Sequence, residues 1–407
     1  QFYGVDTITA VSNGSQIMHM MTVIIVGLAM GTTVTIGHSV GAKCMEQAEK
    51  IIGNTITLFM GIAVAFTVIL VVLVKPIVVL IATPQEAVAG TSIYLTICFI
   101  GIPFITAYNI ISSIFRGLGD SKSPMYFIGI ACVMNIALDY LFMGAFHMGA
   151  AGAALGTVCA QTFSVLVALW VIRRRKTGIS LKKSDFKIER AVIGQVLKIG
   201  IPVALQDGFI QVAFMIITVI ANSRGVSDAA AVGVVEKVIS ALFIVPSSML
   251  ATVSALSAQN LGAGKEKRAT DTLRYATVIT TIYGVIVAVL IQFIAENVVG
   301  IFTSDTTVVT MGSAYIRSYI WDCIFAGIHF SFSGYFAACG KSYIGFLHNI
   351  ISITFVRVPG SYLASKYFTD TLYPMGLAAP AGSLVSVAIC VTAFILLKRK
   401  SRVAQTV

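Results

Sequence analysis

The chain has 407 residues, 57% of them hydrophobic and only 11% charged, with a mean hydropathy of +0.91. That composition lies outside the range of soluble globular domains and describes a polytopic membrane protein. A net charge of +11 does not point to nucleic acid, because the basic residues sit in short loops between apolar runs and not on an amphipathic or aromatic surface.

The chain opens QFYGVDTITAVSNGS, with no basic segment ahead of an apolar core, so no signal peptide is read there. Apolar stretches able to cross about 30 Å of hydrocarbon, roughly 20 residues each, follow near 14–39, 51–81, 86–115, 124–146, 149–172, 196–222, 229–258, 270–296, 307–338, 342–367 and 372–397. Eleven transmembrane helices are expected. Alternate connections hold 22 of the 28 Lys and Arg, nine of them between Arg173 and Lys198. By the positive-inside rule these connections and the C-terminus are cytoplasmic. The expected setting is the plasma (inner) membrane of a prokaryote, with the lipid bilayer as a partner and anionic headgroups as the contact of the basic segment 173–198.

The sequence also resembles itself. At an offset of 221 residues, Gly4-Val5 meets Gly225-Val226, Gly41-Ala42 meets Gly262-Ala263, Tyr94 meets Tyr315, and Phe115, Gly119 and Ser121 meet Phe336, Gly340 and Ser342. One register held over more than a hundred residues, with loops on loops, reads as a duplicated unit. The second copy has a leading helix, Val196 to Asn222, whose counterpart would precede residue 1. The expectation is therefore an all-α integral membrane fold of two parallel six-helix repeats with the first helix of repeat 1 absent. The parts are an N-terminal lobe over 1–176, a basic cytoplasmic linker over 177–195 and a C-terminal lobe over 196–407. A substrate path lies between such repeats.

Pro124 to Phe146 carries Asn135 and Asp139 inside an apolar run, four apart and so on one helical face. An ionisable residue at membrane depth is a functional-site candidate. At about 1.5 Å per residue, Asp139, Tyr94, Thr157 and Asn135 all lie roughly 10–16 Å from the external end of their helices. A carboxylate with amide, hydroxyl and phenol oxygens suits a proton or a sodium ion, with Na+ expected at Asp139, Asn135 and Thr157. The plainer alternative is an Asp that fixes helix packing.

The second repeat does not copy this layer, since Asn135 aligns with Val356 and Asp139 with Gly360. Its candidates are Asp207, Glu236, Asp322 and Arg357, which could hold a cationic substrate or a second proton, or pair internally through Arg357 or Arg317. Seven cysteines without a CxxC pair indicate neither a disulfide framework nor a zinc site. GYFAACGKS over 334–342 has the wrong glycine spacing for a P-loop and follows a helix. His19, His38, His147, His329 and His348 show no metal-ligand spacing and read as core or interfacial residues.

GLAMGTTVTIGHSVGAK (27–43), IFRGLGDSKSP (114–124), NIALDYLF (135–142), MGAAGAALGTVCAQ (148–161) and VEKVISALFIVPSSMLATVSALSAQNLGAGK (235–265) together resemble the MATE family, the multidrug and toxic compound extrusion transporters. The resemblance implies a V-shaped, two-lobe transporter and no enzyme. In the branch that binds its coupling cation in the N-terminal lobe, the site roles fall on Tyr94, Asn135, Asp139 and Thr157; that branch also uses an Asp on the first helix, which this chain lacks. The function implied is a cation-coupled (H+ or Na+) antiporter that exports small, often cationic amphipathic compounds as a monomer by alternating access, with no cofactor. The alternatives are a flippase for a lipid-linked precursor and a transport-inactive truncated homologue.

Overall fold

The computed structural model describes residues 4–81, 83–174 and 180–406, so Arg175 and Lys176 of the basic segment 173–198 and the first three residues of the linker, 177–179, lie outside the described residues. The first part of the chain forms α1 (Val5–Gly41), α2 (Met45–Val72), α3 (Val74–Leu80), α4 (Gln85–Ile100), α5 (Ile102–Leu118), α6 (Lys122–Asp139) with a π-turn over Tyr140–Ala145, α7 (Gly149–Arg174) and a short 3-10 turn, Lys183–Phe186. After α8 (Arg190–Asn222) come α9 (Val226–Leu242), α10 (Ile244–Gly262), α11 (Glu266–Gly300), α12 (Thr306–Tyr319), α13 (Asp322–Ala338), α14 (Ser342–Ser352), a π-turn over Ile353–Arg357, α15 (Val358–Tyr367) and α16 (Tyr373–Thr406). All regular structure among the described residues is helical.

Every one of the eleven apolar stretches is helical. Among the described residues eight helical stretches are long and apolar enough to cross a membrane, α9 and α10 counting together as one, and the pair α4 and α5, bent by 49°, passes the same test when taken as one span. The stretches 307–338 and 342–367 are each interrupted, at Ile320-Trp321 and at the second π-turn. The chain falls into two compact units, Gln1–Ala204 and Leu205–Val407. Their boundary lies inside α8, whose first turns pack on unit 1: the backbone at Gly200 meets Leu28, and that at Gly31 meets Val196.

The duplication is visible in the elements themselves. Displaced by 221 residues, the starts of α1, α2 and α4 fall on the starts of α9, α11 and α12. The turn that ends α5 has its copy as well. Gly119 adopts the left-handed conformation at φ 92° and Gly340 does so at φ 69°. In the first turn Asp120 N–H donates to Phe115 O at 2.9 Å, and in the second Lys341 N–H donates to Phe336 O at 2.8 Å. Such a turn needs a residue without Cβ, which is why the glycine recurs in both copies.

In unit 1, α1 packs against α4 and α5, and α6 against α7. Tyr94, Leu95, Phe99 and Ile102 join Ala10, Met18 and Ala154 in one apolar core. In unit 2 the largest core gathers Val235, Ile239, Ala288, Ile291, Tyr315, Ile316 and Ile320. These cores hold the helices that carry the polar residues described next.

Candidate functional site

Asp139 is the last α-helical residue of α6 before the π-turn Tyr140–Ala145. A π-turn widens the helical hydrogen-bond ladder locally and is common at functional positions. Asn135, one turn earlier, donates from Nδ2 to Asp139 Oδ1 at 3.4 Å. Both side chains are half-buried, so the carboxylate is screened on one side and open on the other.

The closed side is α7. Gly156 is buried there, and a Cβ built on it would collide with Asp139 Oδ1 and come within 3.3 Å of its Cγ. Glycine is what lets the α7 backbone meet the carboxylate. Thr157, next in sequence, spends its hydroxyl on Ala153 O at 3.1 Å. Tyr94, 5% exposed on α4, lies with its ring against Gly14 of α1 and interacts electrostatically with the Asp139 charge. The structure thus joins Asn135 and Asp139 by a hydrogen bond, brings Tyr94 within reach of the charge, and sets the backbone beside Thr157 against the carboxylate. Gly156 stood inside a quoted motif without a role; its place beside Thr157 on a helix of small residues was the only signal for it.

The second cluster lies wholly in unit 2. A cavity of about 40 Å³ is lined by Asp322, His329, Asn349, Ser352, Arg357 and Ser383 together with apolar side chains. Arg357 ends the π-turn Ile353–Arg357, donates from Nη2 to the Tyr319 hydroxyl, and lies over the rings of Phe214 and Tyr319, 5.0 and 5.5 Å from their centroids. A buried guanidinium requires such compensation, since removal from water disfavours its charge. Asp322 and Glu236 both act on it electrostatically, and Glu236 accepts the Thr218 hydroxyl at 3.4 Å on each oxygen.

The expected C-terminal group therefore divides. Asp322 and Arg357 share the cavity and Glu236 is a neighbour of Arg357, whereas Asp207 is not among the residues lining the cavity. Internal pairing through Arg317 is corrected: its guanidinium meets Glu296 at 3.3 Å and Gln292 O, away from the candidate acids. His329 and His348 are core residues, 5% and 0% exposed, and their rings face each other with centroids 5.3 Å apart. No group of three or more His, Cys, Asp or Glu side chains among the described residues could hold a metal ion.

With this geometry in hand, comparison with known proteins is decisive about kinship. The MatE family model matches residues 1–141 and 202–363. The chain belongs to the MatE family. It is 25% identical over 393 residues to YoeA of Bacillus subtilis, named a probable multidrug resistance protein, covering 95% of this chain and 85% of that protein. It is 29% identical over 375 residues to YpnP of the same organism, named likewise, covering 92% and 84%. A crystal structure of the Vibrio cholerae MATE transporter VcmN superposes with a TM-score of 0.90 at 20% identity, covering 98% of this chain and 90% of the other, and this likeness shows the fold. This MatE protein is a multi-pass membrane transporter and not an enzyme, on the ground of its family.

Proposed function

We propose that this MatE protein is a cation-coupled antiporter that exports small organic compounds, cationic and amphipathic ones among them, by alternating access. The carrying observation is Asp139, a carboxylate at membrane depth that is hydrogen-bonded by Asn135 on one side, backed by Gly156, and open on the other. Relatives named for multidrug resistance support the substrate class. A proton or Na+ bound at Asp139 changes the net charge between α6 and α7, and coupling requires only that the cation prefer one conformation over the other. The C-terminus is cytoplasmic in this reading, because the basic connections lie on its side of the membrane. The protein works as a monomer. A lipid-phosphate flippase would need several free cations in one cavity; of the two candidate arginines, Arg317 is engaged with Glu296, and Arg357 is the one cation among the described residues that line the cavity.

The test is ethidium efflux from proteoliposomes under an imposed H+ or Na+ gradient, comparing the parent with Asp139→Asn. The substitution removes the charge with little change of shape. Gradient-driven efflux should fall to background while detergent-solubilised stability is kept; efflux undiminished in the variant would sink the assignment. The gradient that drives the parent identifies the ion.

A further inference from the structure

On α13, Asp322, His329 and Ser333 recur at seven and then four residues, a single helical stripe about 16 Å long. All three are buried, with exposures of 1%, 5% and 3%. Neighbouring helices extend the stripe into a column. Ser383 of α16 and His329 Nε2 lie 3.4 Å apart, Ser333 Oγ and His348 Nε2 of α14 lie 2.8 Å apart, and the two imidazoles stand edge to face at 63°.

Beyond Ser333, the side-chain oxygens of Ser333 and Gln206 of α8 both border the backbone at Gly345. The column is short of partners along its length. Nδ1 of each histidine, Asn349 Nδ2 and Gln206 Nε2 are buried without a hydrogen bond to the protein, and Ser383 is the one side chain that serves Asp322 among the described residues. Buried polar groups are normally satisfied, and a run of open ones in a single file is costly unless something passes along it or hydrates it.

We propose that this column is a proton relay within the C-terminal unit, running from the cavity at Asp322 through His329 and His348 to Ser333. This rests on the reading of the protein as a coupled antiporter, and names H+ as an ion that crosses unit 2. The cavity has room for roughly three water molecules, enough to connect Asp322 to His329. Each imidazole takes a proton on one ring nitrogen and gives up the proton on the other, so it ends neutral with its tautomer exchanged. The serine hydroxyls accept and donate in the same step. A rotation of each ring or a return of its N–H proton restores the starting tautomers before the next passage, and net of that reset one proton moves and no other bond changes.

The charged groups that face the column are few. The groups that act on His329 are His348 and Arg357. Asp322 opposes Arg357 across the same cavity, with Tyr319 and Glu236 around the guanidinium and Asp207 adjoining Gln206 on α8. Of the other helices packed on α13, α10 contains no Asp, Glu, Lys, Arg or His, while α11 and α16 carry theirs only toward their ends.

The test separates two transport modes in proteoliposomes with ethidium as probe: ΔpH-driven efflux, which moves protons, and ethidium–ethidium exchange, which moves none. His348 does not line the cavity, and His348→Gln keeps a hydrogen-bonding group opposite Ser333 but cannot change tautomer. ΔpH-driven efflux should fall about a hundredfold, with exchange at the parent rate. A second measurement needs no variant: replacing H2O by D2O should slow the driven mode of the parent and leave exchange alone.

Equal losses in both modes would make His348 a packing residue and overturn the relay, as would a driven mode that survives the substitution or ignores D2O. A parent that exchanges ethidium but does not respond to ΔpH would remove proton coupling itself, and the relay with it. That failure is seen in the parent, before any variant is compared.

Discussion

Gly156 carries a sharper test of the Asp139 site than the carboxylate does, because it touches the site without contributing chemistry. A methyl at this position would overlap Asp139 Oδ1, so Gly156→Ala must push the carboxylate off α7 or part the two helices. Overpacking of this kind costs about 1–3 kcal/mol. We expect gradient-driven efflux in Gly156→Ala to fall at least about tenfold, the equivalent of 1.4 kcal/mol, with the protein still folded. Parent-like coupling would mean that the approach of α7 to Asp139 has no part in the cycle. At this scale the sequence was readable where a charge stood in an apolar run: Asp139 and Asp322 are conspicuous there. It was opaque for His329 and His348, which are nineteen residues apart on different helices and become a pair only when α13 and α14 pack. Thr157 shows the converse limit, since depth along a helix fixes height but not where a hydroxyl spends its hydrogen bond.

Elements are tied together by a few side chains that satisfy backbone groups where helices end. Arg224, in the turn between α8 and α9, pairs with Asp228 at 2.6 Å and donates to the carbonyls of Ser365, Phe368, Thr369 and Thr371 around the end of α15. Its side chain is only 6% exposed, so truncation strands those carbonyls and the Asp228 charge together. Arg224→Ala should cost about 3 kcal/mol, read as a lower midpoint in detergent thermal unfolding, and Arg224→Lys should recover little, because an ammonium cannot fork to several acceptors. A midpoint unchanged in Arg224→Ala would remove this clamp from the account. Asn54 plays a similar part in unit 1. It donates to Asp185 O at 3.1 Å and accepts from Glu189 N–H at 2.6 Å, fastening the basic connection to α2. Hydropathy located all eleven helical stretches, since apolar length is a property of sequence. It placed Arg224 merely in a loop and the connection merely in solvent, because hydrogen bonds between residues more than a hundred positions apart leave no periodic trace. The break at Gly101 and its copy near Trp321 were likewise hidden inside apolar runs that read as continuous.

At the scale of the whole molecule, duplication preserved the helix register and let the chemistry diverge. The same starting positions recur at 221 residues, yet unit 1 has Asn135 and Asp139 where unit 2 has Val356 and Gly360 and has built its polar column on α13, α14 and α16 instead. Two carboxylates with partners drawn from different units give a way to ask whether the units act as one machine. Substitutions without shared partners should add in their effect on folding, within about 0.5 kcal/mol. The thermal stability of Asp139→Asn with Asp322→Asn should therefore equal the sum of the single changes. Transport obeys different arithmetic. In the alternating-access cycle proposed above both units change state together, so once Asp139→Asn has uncoupled the gradient, Asp322→Asn has little driving force left to remove. The double variant should thus show gradient-driven efflux no lower than the poorer single variant, while its stability change is additive. Gradient-driven efflux that stays above background in Asp139→Asn and is removed only when Asp322→Asn is added would instead mean two independently coupled half-cycles, and the unit, not the molecule, would be the working transporter.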